Sequence, residues 1–283
     1  MRKNGSLFNN TRMLLAAGLA FIVFLSACSA PAIRAIKLIY EKVDYTVNAL
    51  GIEEIRIKAR NMPVKVTSSQ VDEITIHYYT CEEDPYKVSL DGSTLTLKYL
   101  NENLSQSTDS NPHVEVLVPK EFAGAFQMDT SNASVNVSGL NSVRNVYINT
   151  SNAPIGLEHV ASDQVVAYTS NGAVTLDEVS VSGAVDMKSS NGTLTARQVT
   201  AGDKLIMITS NGLISIEQAA SAVIELSTSN GSISGSVEGK RSDYAITSGT
   251  SNGDNSLRDG GKGAYMLTAH TSNGNINIRF LGE

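Results

Sequence analysis

Apolar and polar residues alternate along most of the chain, and the alternation comes in pairs around a short polar triplet. Phe126/Met128, Val146/Ile148, Val185/Met187, Leu205/Met207, Ile224/Leu226 and Leu267/Ala269 stand four and two residues before the first residue of a Thr-Ser-Asn or Ser-Ser-Asn triplet. Val135/Val137, Ile155/Leu157, Val174/Leu176, Leu194/Ala196, Ile214/Ile216 and Ile276/Ile278 follow three and five positions past the Asn. A period of two predicts strands with one buried face. A polar bend then carries one apolar peg: Leu140, Val160, Val179 or Val199.

The triplet asparagines are Asn132, Asn152, Asn171, Asn191, Asn211, Asn230, Asn252 and Asn273, spaced by 20, 19, 20, 20, 19, 22 and 21 residues. A near-constant period of this length marks a stacked repeat, in which each unit covers its apolar face with the next. The expected fold is all-β: a parallel β-helix of about eight regular rungs of about 20 residues, plus irregular N-terminal strands and an N-terminal signal helix. The Leu-rich frame of a leucine-rich repeat is missing, as is the Asp of the calcium-binding nonapeptide repeat. The eight asparagines are expected to form a corner ladder, each amide bonding to the next. Their conformational tolerance and that of the following Gly suggest a left-handed turn there. The Thr hydroxyl is expected to bond to the corner backbone.

Residues 49–125 alternate less regularly, at Ile55/Ile57, Val64/Val66, Ile74/Ile76, Val88/Leu90 and Leu95/Leu97, and are expected to continue the solenoid to residue 126, where the regular repeats (126–283) begin. Asn101 to Pro112 reads as an exposed loop. Asn255 occupies a position otherwise filled by Val, Ile or Leu, so a bulge is expected within 236–263. Phe280 is the candidate plug for the open end.

Arg2, Lys3 and Arg12 precede an apolar stretch, Met13 to Leu25, that is too short for a spanning helix and fits a secretory leader. Leu25-Ser26-Ala27-Cys28 resembles a bacterial lipobox. It implies a signal peptide over 1–27, lipidation of Cys28, and a tether over 28–48, with the remainder held outside the cytoplasm at a membrane. Losing the three basic leader residues, which have no acidic counterpart, takes the formal charge from −6 to −9. That acidity argues against nucleic acid as a partner. With Cys28 acylated, Cys81 has no disulfide partner and is expected to be buried.

Catalytic and binding chemistry is sparse. Glu158, Asp177, Arg197 and Glu217 form one expected column, with His159 and Glu178 beside it. Stacked carboxylates could serve polysaccharide cleavage or a weak calcium site; a solvated charge ladder is the favoured reading. His77, His113, His159 and His270 lack ligand spacing, so neither metal nor cofactor is expected. Tyr147, Val166, Tyr168, Ile206 and Ile208 are expected outward, as a binding stripe broken by Asp186 and Lys188. The opposite outward row, including Ala173/Thr175 and Thr193/Thr195, is small and polar.

The leader, the paired strands, the Val114–Lys120 strand VEVLVPK and the TSNG repeats together resemble the DUF4097 family of bacterial envelope proteins, over about residues 50–283. The resemblance implies a candidate adhesin and brings no catalytic residues. The reading is therefore a non-catalytic cell-envelope lipoprotein that presents a β-helix to a protein or glycan. The alternatives are a polysaccharide lyase or hydrolase using Glu158, Asp177 and Glu178, and a scaffold or sensor in envelope-stress signalling. Oligomeric state is left open.

Overall fold

The computed structural model describes residues 39–100 and 112–283. The leader, Cys28 and most of the expected tether lie outside the described residues, as does the expected loop up to residue 111. The described residues form one compact unit. Its strands are β1 (Glu41–Asn48), β2 (Glu54–Lys58), β3 (Val64–Ser69), β4 (Glu73–Thr80), β5 (Tyr86–Asp91), β6 (Thr94–Tyr99), β7 (Val114–Pro119), β8 (Ala125–Asp129), β9 (Val135–Thr150) and β10 (Ile155–Thr169). There follow β11 (Val174–Val181), β12 (Ala184–Lys188), β13 (Leu194–Arg197), β14 (Thr200–Ile208), β15 (Ile214–Ser227), β16 (Ile233–Val237), β17 (Tyr244–Thr250), β18 (Tyr265–Thr271) and β19 (Ile276–Phe280). One short 3₁₀ turn, Arg241–Asp243, precedes β17. Residues 41–48, expected in the tether, instead form a full strand.

The chain builds a β-helix-like repeat fold, with a parallel sheet that closes on itself. One ladder follows the asparagine corners and runs Val135, Ile155, Val174, Leu194, Ile214, Ile233, Ile276 in register. The other precedes them and runs Phe126, Val146, Val165, Val185, Leu205, Ile224, Leu267. β9, β10 and β15 are long because they bend from one ladder into the other. The inward side chains are buried almost completely, pegs included. Each buried Val, Leu or Ile contributes roughly 1.5–3 kcal/mol, and only its neighbours in the stack supply the cover.

Stacking order departs from chain order at both ends. β2 lies between β6 and β8, and β3 between β7 and β9. The rung of β2 and β3, first in sequence, is thus second in space. At the other end β18 sits between β15 and β17, and β19 pairs with β16. The rung of Asn273 is therefore inserted between those of Asn230 and Asn252. Each end of the solenoid has its chain-terminal rung held on both sides. A period read along the sequence carries no information on such a crossing.

The two outer edges differ. Ile246 of β17 exchanges both backbone hydrogen bonds with Gly260 (2.8 and 3.1 Å), so a returning loop covers that edge. Leu257 from this loop is buried, while Asn255 gives its amide to the Ser248 hydroxyl at 3.0 Å. Phe280 packs on Tyr244 with ring centroids 5.4 Å apart. Tyr244, on the outermost rung, takes the end position expected of Phe280. At the opposite end β5, β4 and β1 add antiparallel strands outside the parallel stack.

Candidate functional site

The asparagines make one continuous chain of amide hydrogen bonds. Asn132 Nδ2 donates to Asn61 Oδ1, Asn152 to Asn132, Asn171 to Asn152, Asn191 to Asn171, Asn211 to Asn191 and Asn230 to Asn211, at 2.6–2.9 Å. Asn273 then donates to Asn230, and Asn252 to Asn273, both at 2.8 Å. Nine residues take part, one more than the repeat suggests. Asn61 was legible: Asn61-Met62-Pro63-Val64 matches Asn152-Ala153-Pro154-Ile155 position for position.

The Gly beside the ladder serves a different purpose from the expected left-handed turn. None of the ladder asparagines or the glycines after them has positive φ. A Cβ at Gly192 would instead lie 1.6 Å from the carbonyl oxygen of Gly172 on the preceding rung, and one at Gly212 would lie 1.9 Å from that of Gly192. Between them runs the hydroxyl of the triplet's first residue. Ser189 Oγ accepts from Gly192 N–H (2.8 Å) and donates to Gly172 O (3.1 Å). Thr209 and Thr228 repeat the pattern. The left-handed residues sit at the other bend, one per rung: Gly139, His159, Glu178, Gln198 and Gln218, with φ between 49° and 69°. Each immediately precedes its apolar peg, so backbone strain at that bend aims the peg into the core.

This second bend carries the expected charge column. Glu158, Asp177, Arg197 and Glu217 are consecutive partners on neighbouring strands. Arg197 donates from Nε (3.1 Å) and Nη2 (2.9 Å) to the same Asp177 oxygen. His159 stands between Glu178 (3.1 Å) and Glu158 (3.5 Å), and all three side chains are more than half exposed. The carboxylates are thus divided between two partners, Asp177 to Arg197 and Glu158 with Glu178 to His159. Among the described residues no group of His, Cys, Asp or Glu is arranged to hold a metal.

Beside the column lies an open groove of about 770 Å³. Its floor is Gly156, at an outward position where a Cβ would come 2.8 Å from Asn136 Oδ1. Thr175, Ser138 and Asn136 line it with hydroxyl and amide groups, and Asp177 with Arg197 closes one side. Lys65, at the far end, is held by Glu115 at 3.1 Å. Thr175 of the small polar row noted in the sequence thus lines a trough running across several rungs, while Ala173, Thr193 and Thr195 lie outside it.

The structure places Tyr147, Val166, Tyr168, Ile206 and Ile208 outward on the other ladder. They do not form a continuous apolar stripe. Tyr168 donates to Asp186 Oδ2 at 2.5 Å, and Lys188 Nζ reaches both that oxygen (2.8 Å) and the Tyr168 hydroxyl (3.1 Å). The same ammonium lies 4.8 Å from the Tyr168 ring centre. Burial and the Asp186 bond raise the Tyr168 pKa, while the Asp186 bond holds Lys188 protonated. Asp186 and Lys188 thus tie the row together, leaving Tyr147 as its exposed aromatic. Cys81, expected buried, is partly exposed, and what burial it has raises its thiol pKa.

No curated protein matches the chain. Several solved structures resemble it. A putative adhesin from Bacteroides fragilis is 9% identical, with 84% of this chain and 97% of that one covered and a TM-score of 0.41. A putative adhesin from Parabacteroides distasonis is 12% identical over 84% and 97%, with a TM-score of 0.39. A putative cell adhesion protein from Clostridium sporogenes is 11% identical over 86% and 100%, with a TM-score of 0.33. Residues 52–281 match the family described as Toastrack DUF4097, a span that takes in the first rung, the whole asparagine ladder and the groove, and the chain belongs to that family.

Proposed function

We propose that the chain is a non-catalytic envelope protein, lipid-anchored at Cys28 and displayed outside the cytoplasm, whose solenoid presents a rigid groove of mixed polar and apolar lining to a glycan or protein. The groove at Gly156 carries this reading. Its donors and acceptors are held on the strands of successive rungs, among apolar lining residues such as Pro63, Pro154 and Leu157, so little side-chain order is lost when a ligand enters. Its Asp177–Arg197 pair offers acceptor and donor side by side, a chemistry suited to sugar hydroxyls. The carboxylates that would serve a glycosidase are engaged otherwise: Asp177 by Arg197, Glu158 and Glu178 by His159. The leader and Cys28 support an extracytoplasmic, membrane-held location.

The test is a glycan array and an envelope-extract pull-down with the unit from Lys37 onward, repeated with Gly156→Asp, which fills the trough. Retention of a specific glycan or protein by the parent and its loss in the variant supports the reading. Release of reducing ends from an envelope polysaccharide, abolished by Glu158→Gln or Asp177→Asn, would replace it with the enzyme reading. For the anchor, Cys28→Ala removes lipid labelling; labelling that persists refutes the lipidation.

A further inference from the structure

Lys87, Lys98 and Lys58 stand side by side on three adjacent strands. β5 sets Lys87 opposite Lys98 of β6, and β6 sets Lys98 beside Lys58 of β2. All three are exposed and face outward. Strands lie about 4.8 Å apart, so the three stems rise within about 10 Å of one another. Like charges directly across a sheet destabilise it. Lys42, Lys65, Lys188 and Lys204 each hold a carboxylate. Lys58, Lys87 and Lys98 form no ion pair among the described residues, although the chain has 28 acidic residues against 22 basic ones.

The row borders a recess of about 460 Å³. Lys58, Lys98 and Arg60 line it together with Tyr99, Thr130 and Ser131. Asp129 is the one carboxylate among its lining residues, and it accepts from Gln127 Nε2 at 3.2 Å. The asparagine ladder adds to the same field. Every amide in it donates toward Asn61, the residue after Arg60, so the positive ends of the side-chain dipoles point to this end of the solenoid. Asp84 of the acidic turn Glu82–Glu83–Asp84 and Arg60 both act on Tyr99, another lining residue, and oppose each other there. The positive charge offered by the recess is therefore that of Lys58 and Lys98.

We propose that this recess is a phosphate-binding site, separate from the groove at Gly156 and on the other ladder. Two ammonium groups one strand apart can each take one oxygen of a single tetrahedral phosphate, and the third can reach the next group of a phosphodiester. Lysine binds phosphate as a point charge and needs no planar fork. The phosphate could be borne by a soluble polyol or sugar phosphate or by a lipid headgroup; the chemistry recognised is the same. Occupancy would also relieve the repulsion within the row.

The test titrates the full chain, in a neutral sugar detergent, with linear polyphosphate by calorimetry, and in a second arm with vesicles containing phosphatidylglycerol or only phosphatidylcholine. The expected result is binding that weakens as salt rises, and about a tenfold loss for each of Lys58→Gln and Lys98→Gln. Lys204→Gln, whose ammonium already holds Glu225 at 2.7 Å, is expected to bind as the parent does. Neither recess variant should lower the melting temperature, because each removes like-charge repulsion. Binding to soluble polyphosphate assigns a phosphate polymer as the source; capture by phosphatidylglycerol vesicles alone assigns a headgroup. The proposal is overturned if neither probe binds, if polyglutamate binds equally well, or if the recess variants bind like the parent.

Discussion

Gly192→Ala puts the corner geometry under the most direct strain. The added Cβ would lie 1.6 Å from Gly172 O, 2.4 Å from Gly172 C and 2.9 Å from Ala173 N, all backbone atoms with no rotamer to yield. A carbon and a carbonyl oxygen settle at about 3.3 Å or more, so one rung must rise by well over an ångström at this corner. The bonds crossing that gap are Ser190 N to Ser170 O (3.0 Å), Asn191 N to Ser170 O (2.9 Å), Ser189 Oγ to Gly172 O and the Asn191–Asn171 amide bond. Stretching several bonds worth about 1 kcal/mol each, added to the ordinary cost of overpacking, gives a loss of about 3 kcal/mol. Chemical denaturation followed by circular dichroism gives the loss, and hydrogen exchange at Ser190 and Asn191 locates it. The natural counter-case is Ala153, at the matching position of an earlier corner. There no bond joins the Thr150 hydroxyl to the following N–H; that hydroxyl donates to Ser131 O, and Pro154 follows. A Gly192→Ala variant within about 0.5 kcal/mol of the parent, the range of a featureless surface change, would refute the carbonyl-contact argument.

Asn191→Asp replaces the donor facing Asn171 Oδ1 with a second acceptor, so it should cost more than Asn191→Ala, about 2 against about 1 kcal/mol on an exposed corner; equal losses by the same denaturation assay would contradict the direction of the ladder. Burial, then the neighbouring Tyr265, Asp243 and Glu238, push the Tyr244 pKa up to about 12. An acid raised in the folded state contributes stability that is full below its ordinary value of 10.0 and lost as pH rises through the folded one. The C-terminal end should therefore open between those values, read as hydrogen exchange in β17, and Tyr244→Phe should abolish the pH dependence while losing the hydroxyl bond to Glu238 O. The His77 ring, bonded to Asp44 at 2.6 Å, holds that carboxyl below its ordinary 3.8. That contribution is present above 3.8 and lost as pH falls through the lowered value, so His77→Ala should move the Asp44 titration upward in a carboxylate NMR experiment.

Most of the rung was legible because inward residues must alternate and the units must match in order to stack. Val174/Leu176 and Leu205/Met207 announce their strands, and the Asn spacing announces the ladder. The function of the corner glycine was not legible. Glycine serves a left-handed turn and a close backbone approach equally well, and only the position of Gly172 O distinguishes them. The reverse holds at the second bend, where Glu178 and Gln198 are poor sequence signals for positive φ and owe it to the buried Val179 and Val199 that follow. The groove floor at Gly156 reads as an ordinary strand glycine until Asn136 is seen beside it. Lys58 and Lys98, 40 residues apart in sequence, become neighbours only through the crossed order of the N-terminal rungs.

That crossed order, on a stack of registered rungs, is the claim on which the rest depends. It can be read from disulfide trapping in a Cys28→Ala/Cys81→Ser background. Ser234 and Asn277 are direct partners on β16 and β19. Ser256, the matching position on the rung of Asn252, is two strands away, about 9.6 Å, beyond the roughly 7 Å reach of a disulfide. The account predicts that the S234C/N277C pair closes on mild oxidation and the S234C/S256C pair does not. Closure of S234C/S256C with S234C/N277C left open would show rungs stacked in chain order and contradict it.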